Sequence, residues 1–197
     1  DVHPDVASVA VKHALQLPRF LHHYPISSHT QAAYRHAVDF VLEFHRSNSP
    51  EEQQQRSSLP VVLDSGCGTG RSSALLARSN PHLPVIGIDR SAVRLAKGGG
   101  GAEKERKGNR GNRRREPLPE NLLLLRADLV DLWILASRDN AWEIKEHHIL
   151  YPNPYPKRSQ LRSRWHGHSV FPVILSLGGV ITLRSNWKAY LDEVCQA

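Results

Sequence analysis

Apolar positions follow two regimes along the chain. Up to about residue 47 they recur at helical spacing, and beyond residue 60 they gather into short unbroken runs separated by amphipathic stretches. Residues 1–25 read as an irregular arm with helical character over 6–17. Ser28-His29-Thr30-Gln31 reads as a capping box, with Ser28 as N-cap and Gln31 reaching back. The helix it opens carries Ala33, Tyr34, Ala37, Val38, Val41, Leu42 and His45 on one stripe. Residues 47–60, with Pro50 and a glutamine run, read as a polar linker.

The second regime predicts strands at 60–64, 84–89, 121–128, 147–151 and 180–184. Helices are expected over 71–79, 91–97, 129–137, 165–177 and 187–194, with Pro172 capping or kinking the fourth. The glycine- and arginine-rich stretch 98–119 is expected to be a disordered basic insertion. Apolar strands separated by helices predict a mostly parallel sheet covered on both faces: an α/β, Rossmann-like three-layer sandwich. The division this implies is an N-terminal arm, helix and linker over 1–58, followed by the α/β domain over 59–197. Asp64, Asp89, Asp128 and Asn153 all fall at or just beyond strand ends. They should converge on the sheet edge where such folds bind ligands.

Composition narrows this picture. A chain of 197 residues, 40% of them hydrophobic, fits one domain with a real core. No apolar run approaches the roughly 18 residues of a membrane span, so a soluble protein is expected. The chain starts at Asp1 and holds no methionine, which reads as a fragment or a processed form. The net charge of +7 favours a polyanionic partner, but five of those seven charges come from residues 97–116. Two cysteines, Cys67 and Cys195, suggest neither a disulfide framework nor a cysteine metal site. The default is a reducing, cytoplasmic compartment, with organelle or nucleus left open because the true N-terminus is not seen. His147 and His148 alternate across a strand, and His166 and His168 lack a third ligand, so no metal is expected.

The chemistry begins at Gly66-Cys67-Gly68-Thr69-Gly70, which follows the first strand. Glycines there permit a tight turn and the close approach of a ligand at a helix N-terminus. A dinucleotide fingerprint needs glycine at position 71, and the residue is Arg71. The pattern, led by Asp64, suits a cofactor without a pyrophosphate. S-adenosylmethionine is such a molecule, and Asp64 could accept from its ammonium group. Asp89 ends the second strand nineteen residues after Gly70, where a carboxylate can accept both ribose hydroxyls; the alternative there is a helix cap. Asp128, with Leu129 behind it, can meet an adenine or equally cap the next helix. Tyr151-Pro152-Asn153-Pro154-Tyr155-Pro156-Lys157 is stiffened by three prolines. It could present Asn153 to the edge of a base and Tyr155 to its face, or simply leave the sheet as a rigid loop. Lys157, Arg158, Arg162 and Arg164 read equally as phosphate contacts or as a solvated basic face.

Taken together, residues 60–187 resemble the bacterial-type tRNA (guanine-N7)-methyltransferases, a class I S-adenosylmethionine-dependent family. The resemblance rests on Asn153-Pro154-Tyr155-Pro156-Lys157 and the basic run behind it. It extends to His168-Ser169-Val170-Phe171, Leu177-Gly178-Gly179, Leu183-Arg184-Ser185-Asn186 and the upstream His29-Thr30-Gln31. The family pattern has Asp-Pro-Trp-Pro-Lys, His-Pro-Glu-Phe, a Pro-Gly-Gly turn and Thr-Asp at these places. The resemblance implies S-adenosylmethionine bound by Asp64, Gly66, Gly68, Gly70, Asp89, Arg90, Asp128 and Leu129. It implies Asn153 at the active-site position and RNA, in particular tRNA, held by Tyr155, Lys157, Arg162, Arg164 and Asn186. Two family carboxylates are replaced, by Asn153 and Asn186. The chain also ends one helix after the fifth strand where the family fold adds two more, so a sheet lacking the last strands is expected. These departures keep two other readings open: a non-catalytic RNA- or partner-binding relative, and N-methylation of another amine.

Overall fold

The computed structural model describes residues 2–48, 57–98 and 117–197. Most of the stretch expected to be disordered, and most of the expected linker, lie outside the described residues. Two helices come first, α1 (Val6–His23) and α2 (Ser28–Asn48). Strand β1 (Leu59–Ser65), α3 (Arg71–Ser79), β2 (Val85–Asp89), α4 (Ala92–Gly98) and β3 (Leu122–Arg126) follow. Then come α5 (Leu129–Asp139), β4 (Trp142–Leu150), two 3₁₀ turns (Arg158–Ser163 and Trp165–Gly167), α6 (Phe171–Ser176), β5 (Val180–Arg184) and α7 (Lys188–Gln196).

The sheet runs β3-β2-β1-β4-β5, and every neighbouring pair is parallel. The chain winds outward from β1 to β3, then returns to lay β4 on the other side of β1. That reversal leaves a crevice beyond the carboxyl ends of β1 and β4, where a ligand can enter. All seven residues of β1 and all five of β2 are buried, as their unbroken apolar runs require. One face of the sheet packs Val61, Leu63, Ile86 and Ile88 against Tyr34, Ala37 and Val41 of α2 and Trp133 of α5. The other packs Val62, Val85 and Leu122 against Ala77 of α3. This is the mostly parallel α/β sandwich expected, with five strands among the described residues.

Several elements differ from their sequence-based expectation. The irregular arm is a continuous helix to His23, because Val6, Ala10, His13, Leu17, Phe20 and Leu21 form one inward stripe that runs through Pro18. The cap of α2 is Ser27 rather than Ser28: its hydroxyl accepts from the Thr30 amide at 3.3 Å, and its carbonyl accepts from Gln31. Ser27 also donates to Asp131 Oδ2 at 2.7 Å, which ties the start of α2 to α5. Strand β4 begins at Trp142, five residues earlier than expected, because its first half alternates buried and exposed residues instead of running apolar. The helix expected over 165–177 is a 3₁₀ turn and a separate α6, with Pro172 in its first turn, where the missing amide costs nothing.

Under the crevice lies a buried polar knot. His147, fully buried in β4, sets Nε2 2.8 Å from Ser65 Oγ, which also accepts from the Trp133 indole N–H at 3.2 Å. Burial, and after it the neighbouring His148, push the His147 pKa down to about 4 from its ordinary 6.5. The unfolded chain therefore binds a proton between those values that the folded chain refuses. Stability due to His147 is full above pH 6.5 and is lost as pH falls toward 4. The shift corresponds to about 3 kcal/mol. His13, His166 and His168 are displaced in the same direction, chiefly by burial. Urea titrations at stepped pH should show a level plateau above 6.5 and a steep decline below it. A flat profile down to pH 4.5 would mean that His147 is solvated.

Candidate active site

The cleft at the strand ends has a volume of about 260 Å³. Ser65 and Gly66 of the β1 loop, Asp89 and Arg90 after β2, Asp128 and Leu129 at the head of α5, and Asn153 and Tyr155 after β4 meet around it. The topology thus brings together seven of the residues singled out from sequence, drawn from the ends of four strands.

The glycine loop is held from within. The amides of Gly66 and Cys67 donate to Ile88 O at 2.8 and 2.9 Å, Gly68 N–H donates to Asp89 Oδ2 at 2.9 Å, and Gly70 N–H donates to Cys67 O at 3.0 Å. Gly66 and Gly70 take φ of +81° and +77°, a region that side-chain-bearing residues rarely enter. A Cβ on Gly70 would also stand 2.7 Å from Leu124. The sequence suggested bare amides facing a ligand. In the structure these four are spent, which leaves the loop poorly suited to a pyrophosphate and compatible with a cofactor that has none.

Asp64 does not line the cleft. It is 1% exposed, and its Oδ2 accepts from the hydroxyls of Ser72 and Ser73 at 2.6 Å each, fastening the loop to α3. Asp89 does line it. One oxygen takes the Gly68 amide, the other takes Ser91 N–H at 2.7 Å, and Arg94 stands 3.5 Å away. Each carboxylate oxygen retains a lone pair for a further donor. Asp128 both borders the cleft and caps α5, accepting from Val130 and Asp131 amides at 2.9 and 3.3 Å. Thr30 Oγ1 accepts from the Asp128 amide at 3.2 Å, so the N-terminal helices help set this wall.

Opposite stand Tyr151 and the Asn153–Tyr155 turn. Tyr151 and Tyr155 adopt φ of +52° and +44°, strained for aromatic residues, and both border the cleft. Tyr151 is pinned by its amide to Arg184 O at 2.8 Å. Tyr155 is pinned from below by Arg164. Expected as a surface contact, Arg164 is instead 2% exposed, and Nε and Nη2 donate to Tyr155 O at 3.2 and 3.0 Å. Nη1 donates to both oxygens of Glu193, 2.6 Å to Oε1, while the guanidinium stacks 4.8 Å over Trp187. His166 Nε2 sits 2.9 Å from Glu193 Oε2, and the His3 amide donates to Oε1 at 3.0 Å. Burial acts to raise the Glu193 pKa, but the donors from Arg164 and His3 outweigh it and hold the carboxylate ionised. Arg164 has no capacity left for a substrate; it builds the turn that carries Asn153. Lys157 and Arg162 are exposed beside that turn, and Asn186 is exposed two residues past β5 on the same sheet edge, outside the cleft.

Arg94, Tyr151, Trp165 and Thr30 were missed in the sequence. Arg94 lies on a helix whose pattern gives no hint of the cleft, Thr30 stood in the sequence only as part of a capping box and of the upstream segment, and Trp165 fell within an expected helix. Among the described residues no group of three or more His, Cys, Asp or Glu gathers to hold a metal, and no helix is long and apolar enough to cross a membrane.

Residues 58–197 match a family described as "Putative methyltransferase". The chain belongs to this family. Over 177 residues it is 25% identical to a tRNA (guanine-N(7)-)-methyltransferase of Neisseria gonorrhoeae (strain NCCP11945), covering 86% of this chain and 68% of that protein. Over 140 residues it is 28% identical to a protein of the same name from Mycolicibacterium gilvum (strain PYR-GCK), covering 70% of this chain and 50% of the relative. A solved structure, that of the plantazolicin methyltransferase BpumL in complex with triazolic desmethylPZN analog and SAH, is 14% identical. It covers 91% of this chain and 73% of its own at a TM-score of 0.33. The cofactor of this methyltransferase is S-adenosylmethionine. The site fits that group: a carboxylate for a ribose diol at Asp89, apolar surface at Leu129 and Ile149, and a loop with no free anion cradle.

Proposed function

We propose that this methyltransferase transfers a methyl group to N7 of a guanine in tRNA. The observation that carries the reading is the Asn153 turn across the cleft from Asp89, aimed and strained by Arg164. When bound, S-adenosylmethionine supplies an electrophilic methyl group. Gly66, Asp89, Arg90, Asp128 and Leu129 would hold it, with Gly68, Gly70 and Asp64 shaping the loop behind.

Guanine N7 carries a lone pair and no proton, so the chain needs no general base. Its task is to orient the base and exclude water. Asn153 Oδ1 already accepts the Tyr155 amide at 3.3 Å, which leaves its NH₂ to donate. O6 of guanine accepts a hydrogen bond beside N7, so a donor amide can hold the base there and leave the N7 lone pair free for the methyl group. An exocyclic amine would ask for the carbonyl instead, and this ranks amine methylation second. Tyr155 offers a ring to the base, and Lys157, Arg162 and Asn186 form the rim along which an RNA backbone would run.

The test is incubation of the protein with unmodified tRNA transcripts and methyl-labelled cofactor, followed by nuclease digestion and mass spectrometry. Label in 7-methylguanosine is expected, with at least a tenfold loss in Asn153→Ala. Label in an N-methylated amine, or none in a preparation that binds the cofactor, would defeat the reading.

A further inference from the structure

A second cavity, of about 500 Å³, lies between α1 and the segment after the second 3₁₀ turn. It falls in the size range of small-ligand sites. His13, Gln16, Arg19, Phe20 and Tyr24 line it, and no carboxylate does. Arg19 has no acidic partner among the described residues. Lys12 and Arg162 add positive potential at His13. The rings of Phe20 and Tyr24 lie 5.1 Å apart at 52°, an apolar wall beside the cation.

His13 closes the inner wall: it is 9% exposed, with the backbone of His168 beside its ring. The cavity also adjoins the cofactor cleft. Trp165 borders the cleft, its ring meets His168 at 6.1 Å, and His168 meets Phe20 of the second cavity at 6.4 Å. The ring of His168 stands between them.

We infer that this cavity binds one nucleotide of the RNA strand whose neighbouring base enters the cleft, with the phosphate at Arg19 and the base on Phe20 and Tyr24. The inference rests on the tRNA reading above and extends it to a named subsite. A guanidinium without an acidic partner beside two tilted aromatic rings suits a nucleotide, which has both a phosphate and a π-face. An acidic peptide would satisfy the cation and leave the rings unused.

The experiment titrates the protein, saturated with S-adenosylhomocysteine, with guanosine 5′-monophosphate, guanosine, inorganic phosphate and a short polyglutamate. It is paired with tRNA binding by fluorescence anisotropy. The nucleotide should bind at least tenfold more tightly than guanosine or phosphate. Arg19→Gln, an exposed change that spares the fold, should weaken both the nucleotide and tRNA at least tenfold and leave cofactor affinity unchanged. Arg35→Gln, on the exposed face of α2, should change neither. Equal nucleotide affinity in Arg19→Gln and wild type overturns the inference. So does polyglutamate binding more tightly than the nucleotide, or nucleotide binding that weakens while tRNA binding does not. If tRNA receives no methyl group while Arg19→Gln still lowers tRNA affinity, the tRNA methylation reading falls and the subsite stands.

Discussion

Asp89→Ala is expected to weaken S-adenosylmethionine binding by roughly 10²- to 10⁴-fold. The range follows from two hydrogen bonds to an ionised group, each worth about 1.5–3 kcal/mol. The same carboxylate also orders the protein, because Gly68 and Ser91 donate their amides to it. The alanine variant therefore loses the ligand contact and slackens the glycine loop together. Asp89→Asn separates the two effects: its amide oxygen keeps one backbone donor while the charge is gone. Calorimetric titration should rank wild type above Asn above Ala, with far-UV circular dichroism unchanged in all three. Alanine binding within threefold of wild type would remove Asp89 from the cofactor site.

Arg164→Leu is expected to be the most destabilising single change at the site. It strips Glu193 of its cation in a buried place, leaving it to face His166 and one backbone amide. Removing one partner of a buried pair costs about 3–5 kcal/mol. For a chain of this size that is a fall in Tm of about 6–20 °C. It also frees Tyr155 O and so relaxes the strained turn. Methyl transfer should fall further than the folded fraction does when both are measured at 20 °C. Arg164→Lys should rescue little, because a single ammonium cannot bridge Glu193 and the Tyr155 carbonyl as the guanidinium fork does. Arg164→Leu combined with Glu193→Leu should recover part of the stability but not the activity. A double variant no more stable than Arg164→Leu would show that the pair is not the source of the loss.

The sheet was legible because its evidence is local. Strands β1, β2 and β5 are short apolar runs with turn residues at their ends, and the glycine loop between β1 and α3 marks the ligand edge. The convergence of Asp89, Asp128 and Asn153 followed from topology alone. What sequence pattern could not supply was the orientation of side chains that serve the protein itself. Arg164 sits in a basic run and read as surface, but its partner Glu193 is 29 residues away on α7, and nothing local announces a buried pair. Asp64 read as a ligand contact because it opens the glycine motif, yet Ser72 and Ser73 of the next helix claim its Oδ2. The first half of β4 hid behind Glu143, Lys145 and Glu146, since a half-buried strand next to a fully buried one carries two periodicities at once. The arm at 1–25 read as irregular with helical character only over 6–17, whereas the inward stripe persists through Pro18 to His23.

The central claim is that the cleft presents N7 of a guanine in tRNA to the methyl donor. Its most direct measurement compares two tRNA transcripts that differ only in whether guanosine or 7-deazaguanosine is incorporated, each supplied with methyl-labelled cofactor. The account predicts label in the guanosine transcript and none in the 7-deaza transcript, which folds alike but lacks the accepting atom. Equal labelling of the two would contradict it and place the methyl group on another atom.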